Sequence, residues 1–250
     1  MEKVVVITGA SGGIGAATAR ELAARGMRVA LVARRADLLA ETARECGVGA
    51  VAIPADVTRR EEVRQVVNEA ARRLGTISVW INNVGQGITR LPSELNDEDV
   101  AVMMQVNVMS ALYGMQEVLP HFLGRGGGRG HLINISSMLG RIPSVAYRSA
   151  YSAAKHFLNA ITIMFRAELE SRAPGIGVSL VSPPAVATEF GRNARHGGPD
   201  SRSLANPQDP AEVARVIARV VEAGASDVYT VPGARRRVAQ YYAALGEDPG

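Results

Sequence analysis

Short apolar runs bounded by turn residues alternate along the chain with longer stretches whose apolar positions recur at helical spacing. The pattern predicts strands at about 3–8, 28–33, 50–54, 77–82, 131–136, 177–182 and 227–231. Between them it predicts helices at about 13–25, 36–46, 60–74, 97–123, 150–172 and 210–223, with a last one at about 234–245. Runs such as Val4-Val5-Val6-Ile7 and Val79-Trp80-Ile81 are continuously apolar, which suits strands buried on both faces. Strands alternating with helices imply an α/β fold, a doubly wound parallel sheet of about seven strands flanked by helices. No linker or shift in composition divides the chain, so residues 1–250 read as a single domain. Gly124 to Gly130 reads as a flexible turn, and the polar segment 189–208, rich in Gly, Asn and Pro, is long enough to act as a lid or substrate loop.

Composition narrows the class. With 250 residues, 47% hydrophobic and 21% charged, the chain can bury one large core and is not disordered. Aromatic residues make up 4%, and the net charge of +4 is spread among interleaved acids, which argues against nucleic acid as a partner. No apolar run approaches the roughly 20 residues of a membrane span, and the first residues lack a leader pattern, so a cytoplasmic location without stable membrane insertion is expected. Cys46 is the single cysteine and the four histidines are scattered, so neither a disulfide nor a metal site is expected. Lysine occurs only at Lys3 and Lys155, which makes the setting of Lys155 informative.

The first predicted strand runs into Thr8-Gly9-Ala10-Ser11-Gly12-Gly13-Ile14-Gly15 and then a helix. A strand-to-helix turn this tight needs positive φ, and a pyrophosphate on a helix N-terminus needs backbone N–H groups unshielded by Cβ atoms. Thr8, Gly9, Ser11, Gly12, Gly13, Ile14 and Gly15 are therefore candidate cofactor residues. Where a carboxylate after the second strand would favour NAD, the chain has Arg34-Arg35, so NADP(H) is the expected cofactor and NAD(H) the second candidate. Asp37 lies close enough to neutralise part of that charge. Asp56, with Val57 after it, is placed to meet the adenine amine or to cap a turn.

Tyr151 and Lys155 stand at i and i+4 of a predicted helix, one turn apart on one face. An ammonium beside a phenol favours phenolate, which would make the pair a proton donor and acceptor near neutrality. The fifth strand ends in Asn134-Ile135-Ser136-Ser137, at the sheet edge where open α/β folds bind ligands. There a hydroxyl can hold a substrate carbonyl, with Ser137 preferred to Ser136. Met138, Leu139, Pro143, Tyr147, Val186 and Phe190 are candidates for an apolar substrate wall, or they pack the loop. Arg192, Arg195 and His196 face either an anionic substrate or water.

Taken together, these residues resemble the short-chain dehydrogenase/reductase family over essentially the whole chain. The resemblance rests on Thr8, Gly9, Gly13 and Gly15, on Asn82-Asn83-Val84-Gly85, on Asn107, on Ser137 and on the Tyr151/Lys155 pair. It implies a seven-stranded Rossmann sheet, a nicotinamide cofactor and reversible hydride transfer between carbonyl and alcohol. It further implies Tyr151 as acid and base, Ser137 as the group orienting the substrate oxygen, Lys155 on the nicotinamide ribose and Asn107 as the anchor of a water relay. Asn83, Val84, Gly85, Pro183, Val186 and Thr188 join the cofactor residues on the same grounds, with Thr188 on the carboxamide. A hydrophobic or aromatic ketone or aldehyde is the expected substrate. A homodimer or homotetramer formed through helices near 97–123 and 150–172 is also implied, and the helix at 234–245 would pack on a neighbour or lie on a membrane surface.

Three departures stand out. Val84 replaces the usual alanine, Pro184 replaces the usual glycine after the sixth strand, and Ser137 lies fourteen residues before Tyr151, one more than expected. Two alternatives stay open, a non-catalytic NADP(H)-binding sensor or scaffold, and a lyase or epimerase on the same fold.

Overall fold

The seven apolar runs form seven parallel strands, β1 (Val4–Thr8), β2 (Arg28–Ala33), β3 (Ala50–Pro54), β4 (Ile77–Asn82), β5 (Gly130–Ile135), β6 (Ile176–Ser182) and β7 (Asp227–Tyr229). In the computed structural model, which describes residues 2–246, they make one sheet in the order β3-β2-β1-β4-β5-β6-β7. Met1 and residues 247–250 of the expected domain lie outside the described residues. The order reverses between β1 and β4, whose carboxyl ends open the crevice in which such sheets bind ligands.

Both faces of the sheet are covered, as continuous apolar strands require. Helices α1 (Gly13–Ala24), α2 (Ala36–Cys46) and α7 (Pro210–Ala223) bury Leu22, Leu39 and Ile217 against Ile7, Leu31 and Ile81. On the other face α3 (Arg60–Leu74), α5 (Ser110–Leu123) and α6 (Ser149–Arg172) bury Val63, Met115 and Leu169 against Val6, Trp80 and Leu132. A last helix, α8 (Ala234–Ala243), ends the described chain.

The stretch 97–123 is not one regular helix. It divides into α4 (Asp97–Met104), a π turn at Gln105–Met109 and then α5. Asn107 is the cause: its side-chain Nδ2 donates to the Met103 carbonyl at 3.0 Å, occupying the acceptor four residues back that a regular helix reserves for backbone N–H. The widened turn leaves Asn107 fully buried and aims it at the crevice.

Candidate active site

At the cofactor end, β1 and β4 are stitched together through side chains. The Thr8 hydroxyl donates to the Ile81 carbonyl at 3.3 Å and accepts from the Asn83 N–H at 3.0 Å. Asn83 Nδ2 in turn donates to the carbonyls of Thr8 and Gly9, at 3.1 and 3.3 Å. The turn between them needs its glycines for different reasons. Gly9 and Gly13 have positive φ, 68° and 54°, whereas Gly15 is required by space, since a Cβ there would lie 2.3 Å from the Gly9 oxygen. No side chain caps α1 and its first turn holds no acid, so the free N–H groups at its start face the crevice with the positive end of the helix dipole. This uncapped cradle fits a pyrophosphate.

Arg35 folds back over the cradle, with Nη2 3.1 Å from the Ser11 hydroxyl. Arg34 is exposed and makes no hydrogen bond or ion pair among the described residues. Asp56 forms a turn: its Oδ1 accepts from the N–H of Thr58 at 3.0 Å and from its hydroxyl at 2.7 Å. Val57 is buried in the core, so only its backbone can meet a ligand. Val84 packs at the edge of the same core, and Val186 is buried against the opposite one.

Pro184 costs the fold nothing visible. The segment after β6 is held by its neighbours, with the Met138 N–H donating to the Pro183 carbonyl at 2.8 Å and Val186 bridging Gln208. Thr188 stands over the glycine turn, its methyl 3.3 Å from where a Gly13 Cβ would be.

Beyond β5 and β4 the remaining polar groups converge. Tyr151 and Lys155 are both buried, with the ammonium 5.8 Å from the phenol ring centroid. Lys155 Nζ donates to the Ile135 carbonyl at 3.0 Å. Asn107 Oδ1 accepts from the Gln86 N–H at 3.1 Å and its Nδ2 donates to the Gln86 carbonyl at 3.0 Å. Gly85 is the space that joins them, since a Cβ there would lie 3.0 Å from Asn107 Oδ1 and 3.5 Å from Lys155 Nζ. Of the two serines, Ser136 is drawn away to Asn159 on α6, while the Ser137 hydroxyl accepts from the Leu139 N–H at 3.1 Å and acts to lower the pKa of the Tyr151 phenol. Pro143, in the loop between Ser137 and Tyr151, is exposed.

Burial dominates the electrostatics. It pushes the Tyr151 phenol up to about 12, against the opposing pull of the Ser137 hydroxyl and the Arg148 charge. It pushes the Lys155 ammonium down to about 8. At neutral pH that leaves the phenol protonated and the ammonium charged but its proton more weakly held, so forming phenolate requires further charge or solvent brought by ligands.

The segment 189–198 closes over this chemistry. Phe190 packs on Tyr151 with ring centroids 5.3 Å apart, and Leu139 joins the same small apolar cluster. Met138 is half-buried in a short turn, while Tyr147 is 40% exposed at the rim. Asp99, fully buried on α4, holds the loop down: its Oδ1 accepts from Arg195 Nε at 2.6 Å and from His196 Nε2 at 2.7 Å. Those two contacts keep the Asp99 carboxyl down at about 2. Arg195 and His196 are therefore tied to Asp99 while staying partly exposed to water, and Arg192 pairs with Glu189 at 2.8 Å.

Three participants escaped the reading of the sequence, Asp99, Gln86 and Arg148. Arg148 had a legible signal, because it stands three residues before Tyr151, where it becomes the N-cap of the same helix.

The model of the family described as short chain dehydrogenase matches residues 3–198. The chain belongs to the short-chain dehydrogenases. It is similar to an uncharacterized oxidoreductase, YxnA, of Bacillus subtilis, 33% identical over 236 residues, which cover 91% of this chain and 65% of that longer protein. Among solved structures it resembles an alcohol dehydrogenase from Thermococcus sibiricus complexed with 5-hydroxy-NADP, with 27% identity, a TM-score of 0.79 and coverage of 92% and 96%. A short-chain dehydrogenase/reductase from Burkholderia phymatum in complex with NAD shares the fold at a TM-score of 0.87 and 24% identity, covering 100% and 98%. This short-chain dehydrogenase is an oxidoreductase that uses a nicotinamide cofactor on a small molecule. No described helix is long and apolar enough to cross a membrane.

Proposed function

We propose that the protein is an NADP(H)-dependent carbonyl reductase working reversibly on hydrophobic or aromatic ketones, aldehydes or the matching secondary alcohols. The observation that carries the reading is the buried convergence of Tyr151, Ser137, Lys155 and Asn107 at the carboxyl edge of the sheet. When bound, the nicotinamide supplies or accepts the hydride.

The chain's own residues do the rest. The Ser137 hydroxyl donates to the substrate oxygen and holds it against Tyr151. The Tyr151 phenol gives its proton to that oxygen in reduction and recovers one in oxidation. Lys155, freed from the Ile135 carbonyl or retained on it, carries the charge that stabilises phenolate and binds the nicotinamide ribose. Asn107 holds the Gln86 backbone beside Lys155, where water can refill the proton. The backbone around Gly12, Gly13, Ile14 and Gly15 takes the pyrophosphate, and Thr188 takes the carboxamide.

Preference for NADP(H) rests on Arg34 and Arg35 at the end of β2, with Arg35 already over Ser11 and no acid between Ala33 and Ala36. Leu139, Phe190 and Met138 supply an apolar wall, with Tyr147 at its rim. Exposed Phe157, Ile163 and Met164 on α6, and the apolar groove between α5 and α6 lined by Leu112, Leu119 and Phe165, support a homodimer or homotetramer, in the cytoplasm.

The test is NADPH oxidation followed against a panel of aromatic ketones, quinones, diketones and steroids, with NADH in parallel. Turnover with NADPH preferred supports the assignment. Equal or better turnover with NADH removes the role given to Arg34 and Arg35.

A further inference from the structure

Around the mouth of the site, charges are matched one by one. Arg192 pairs with Glu189, Arg202 with Asp200, and Arg195 with Asp99 and Glu98. His196 also binds Asp99, and Arg90 Nε reaches within 3.9 Å of the other Asp99 oxygen. Arg148 is the exception, since no carboxylate among the described residues comes within ion-pair distance of it.

Its position makes the exception costly. Arg148 is 9% exposed, and its side chain has one hydrogen bond among the described residues, from Nη1 to the Ile88 carbonyl at 3.1 Å. The guanidinium lies 5.5 Å from the Tyr147 ring centroid. Glycines leave room for it: a Cβ on Gly87 would lie 2.9 Å from Nη1 and 3.0 Å from the Phe190 ring, and one on Gly198 would lie 3.2 Å from Nη2. Arg148 thus shares a wall with Phe190, the residue stacked on Tyr151. A buried cation without a counter-charge is unfavourable until an anion arrives. A guanidinium with Nε and Nη2 unbonded presents the edge that grips a carboxylate with two parallel hydrogen bonds.

We propose that Arg148 is the specificity residue for a carboxylate on the substrate, so that the physiological substrate is an oxo acid, or its hydroxy acid, with an apolar body. The inference rests on the carbonyl-reductase reading above and refines it. Arg148 is the N-cap of α6 and Tyr151 the third residue of that helix, and the Arg148 charge is felt at the Tyr151 phenol, so the carboxylate lies close to the reacting carbonyl. Tyr151 holds the carbonyl, Arg148 holds the anion, and Phe190 and Leu139 cover the apolar body.

The test compares phenylglyoxylate with its methyl ester, which keeps the skeleton and removes the charge. For the unaltered enzyme with NADPH, kcat/KM is expected to be higher for the acid. Arg148→Gln, which retains a donor for the Ile88 carbonyl, is expected to lower kcat/KM for the acid about ten- to a hundredfold more than for the ester, the loss on the ester reading only the effect of the Arg148 charge on Tyr151. Arg148→Lys is expected to fall between them. Equal losses on acid and ester would overturn the inference while leaving the reductase reading intact, because they would show that Arg148 acts only on Tyr151 or on folding. Calorimetric binding of phenylglyoxylate to NADPH-saturated Tyr151→Phe protein reads the anion contact without turnover. Binding there that is lost on adding Arg148→Gln supports the inference even if no substrate turns over, and binding indifferent to Arg148, or absent in its presence, contradicts it.

Discussion

The glycine turn allows a clean separation of packing from ligand binding, through Gly15→Ala and Gly12→Ala. At Gly15 the new methyl would meet the Gly9 oxygen at 2.3 Å, Asn83 Nδ2 at 2.6 Å and the Gly9 carbonyl carbon at 2.8 Å. Two of these are backbone atoms, so the methyl has to push apart the β1–β4 stitch that Asn83 makes. Overpacking of this kind costs about 1–3 kcal/mol, which for a domain of this size corresponds to a fall in Tm of roughly 2–12 °C. At Gly12, φ is 173°, an ordinary extended value, and the nearest atom is the mobile Arg35 Nη2 at 3.4 Å. Gly12→Ala should therefore leave the Tm of the cofactor-free protein within about 2 °C and yet weaken NADPH binding by shielding the N–H groups of α1. Gly15→Ala should lose both stability and affinity, the latter by ~5- to 150-fold if the same 1–3 kcal/mol reaches the cofactor site. Thermal unfolding without cofactor and calorimetric titration with NADPH measure the two quantities. Equal loss of stability in both variants, or none in Gly15→Ala, would refute the contact argument.

Arg35→Ala should weaken NADPH binding by roughly ten- to a hundredfold, the worth of charge-assisted hydrogen bonds to a phosphate, and leave NADH binding unchanged; calorimetry with both cofactors decides it. Lys155→Met should abolish turnover but stabilise the cofactor-free fold at pH 7. Burial lowers Lys155 from 10.5 to about 8, so the folded state holds its proton less tightly than the unfolded chain, and the resulting penalty is full below pH 8. It fades between pH 8 and 10.5, so the stabilisation by Lys155→Met, on the order of 2–3 kcal/mol at pH 7, should shrink across that window in chemical denaturation. A gain that stays constant with pH would show that the amine is not the source.

Most of the sheet could be read from the sequence, because parallel strands buried on both faces must be apolar throughout and so announce themselves as at Val4-Val5-Val6-Ile7. Strand ends were less legible: β5 and β6 begin one residue earlier than their apolar runs suggested, and β7 stops at Tyr229. The glycine turn and the Tyr151/Lys155 spacing are local features, visible without knowing the fold. The π turn was invisible because it depends on which way the Asn107 amide points, and Asn107 looks like any helical residue until its hydrogen bonds to Met103 and Gln86 are seen. What anchors the loop was illegible for the same reason. Arg192, Arg195 and His196 read as facing an anionic substrate or water, and nothing local shows that the chain brings Asp99 under two of them from almost a hundred positions upstream. Asp56 read as a partner for the adenine amine or as a turn aspartate, and in the fold its carboxylate closes a turn onto Thr58.

The most direct test of the account is Tyr151→Phe, which removes one hydroxyl from a ring held between Phe190 and Lys155 and leaves the packing in place. Assayed by NADPH oxidation on any carbonyl compound the unaltered enzyme reduces, it should lose about 10²–10⁴-fold in kcat, the contribution of a positioned general acid, with NADPH affinity and Tm unchanged. Retention of more than about a tenth of kcat, with the fold intact, would mean that the proton comes from elsewhere and that the convergence on Tyr151 is not the reacting centre.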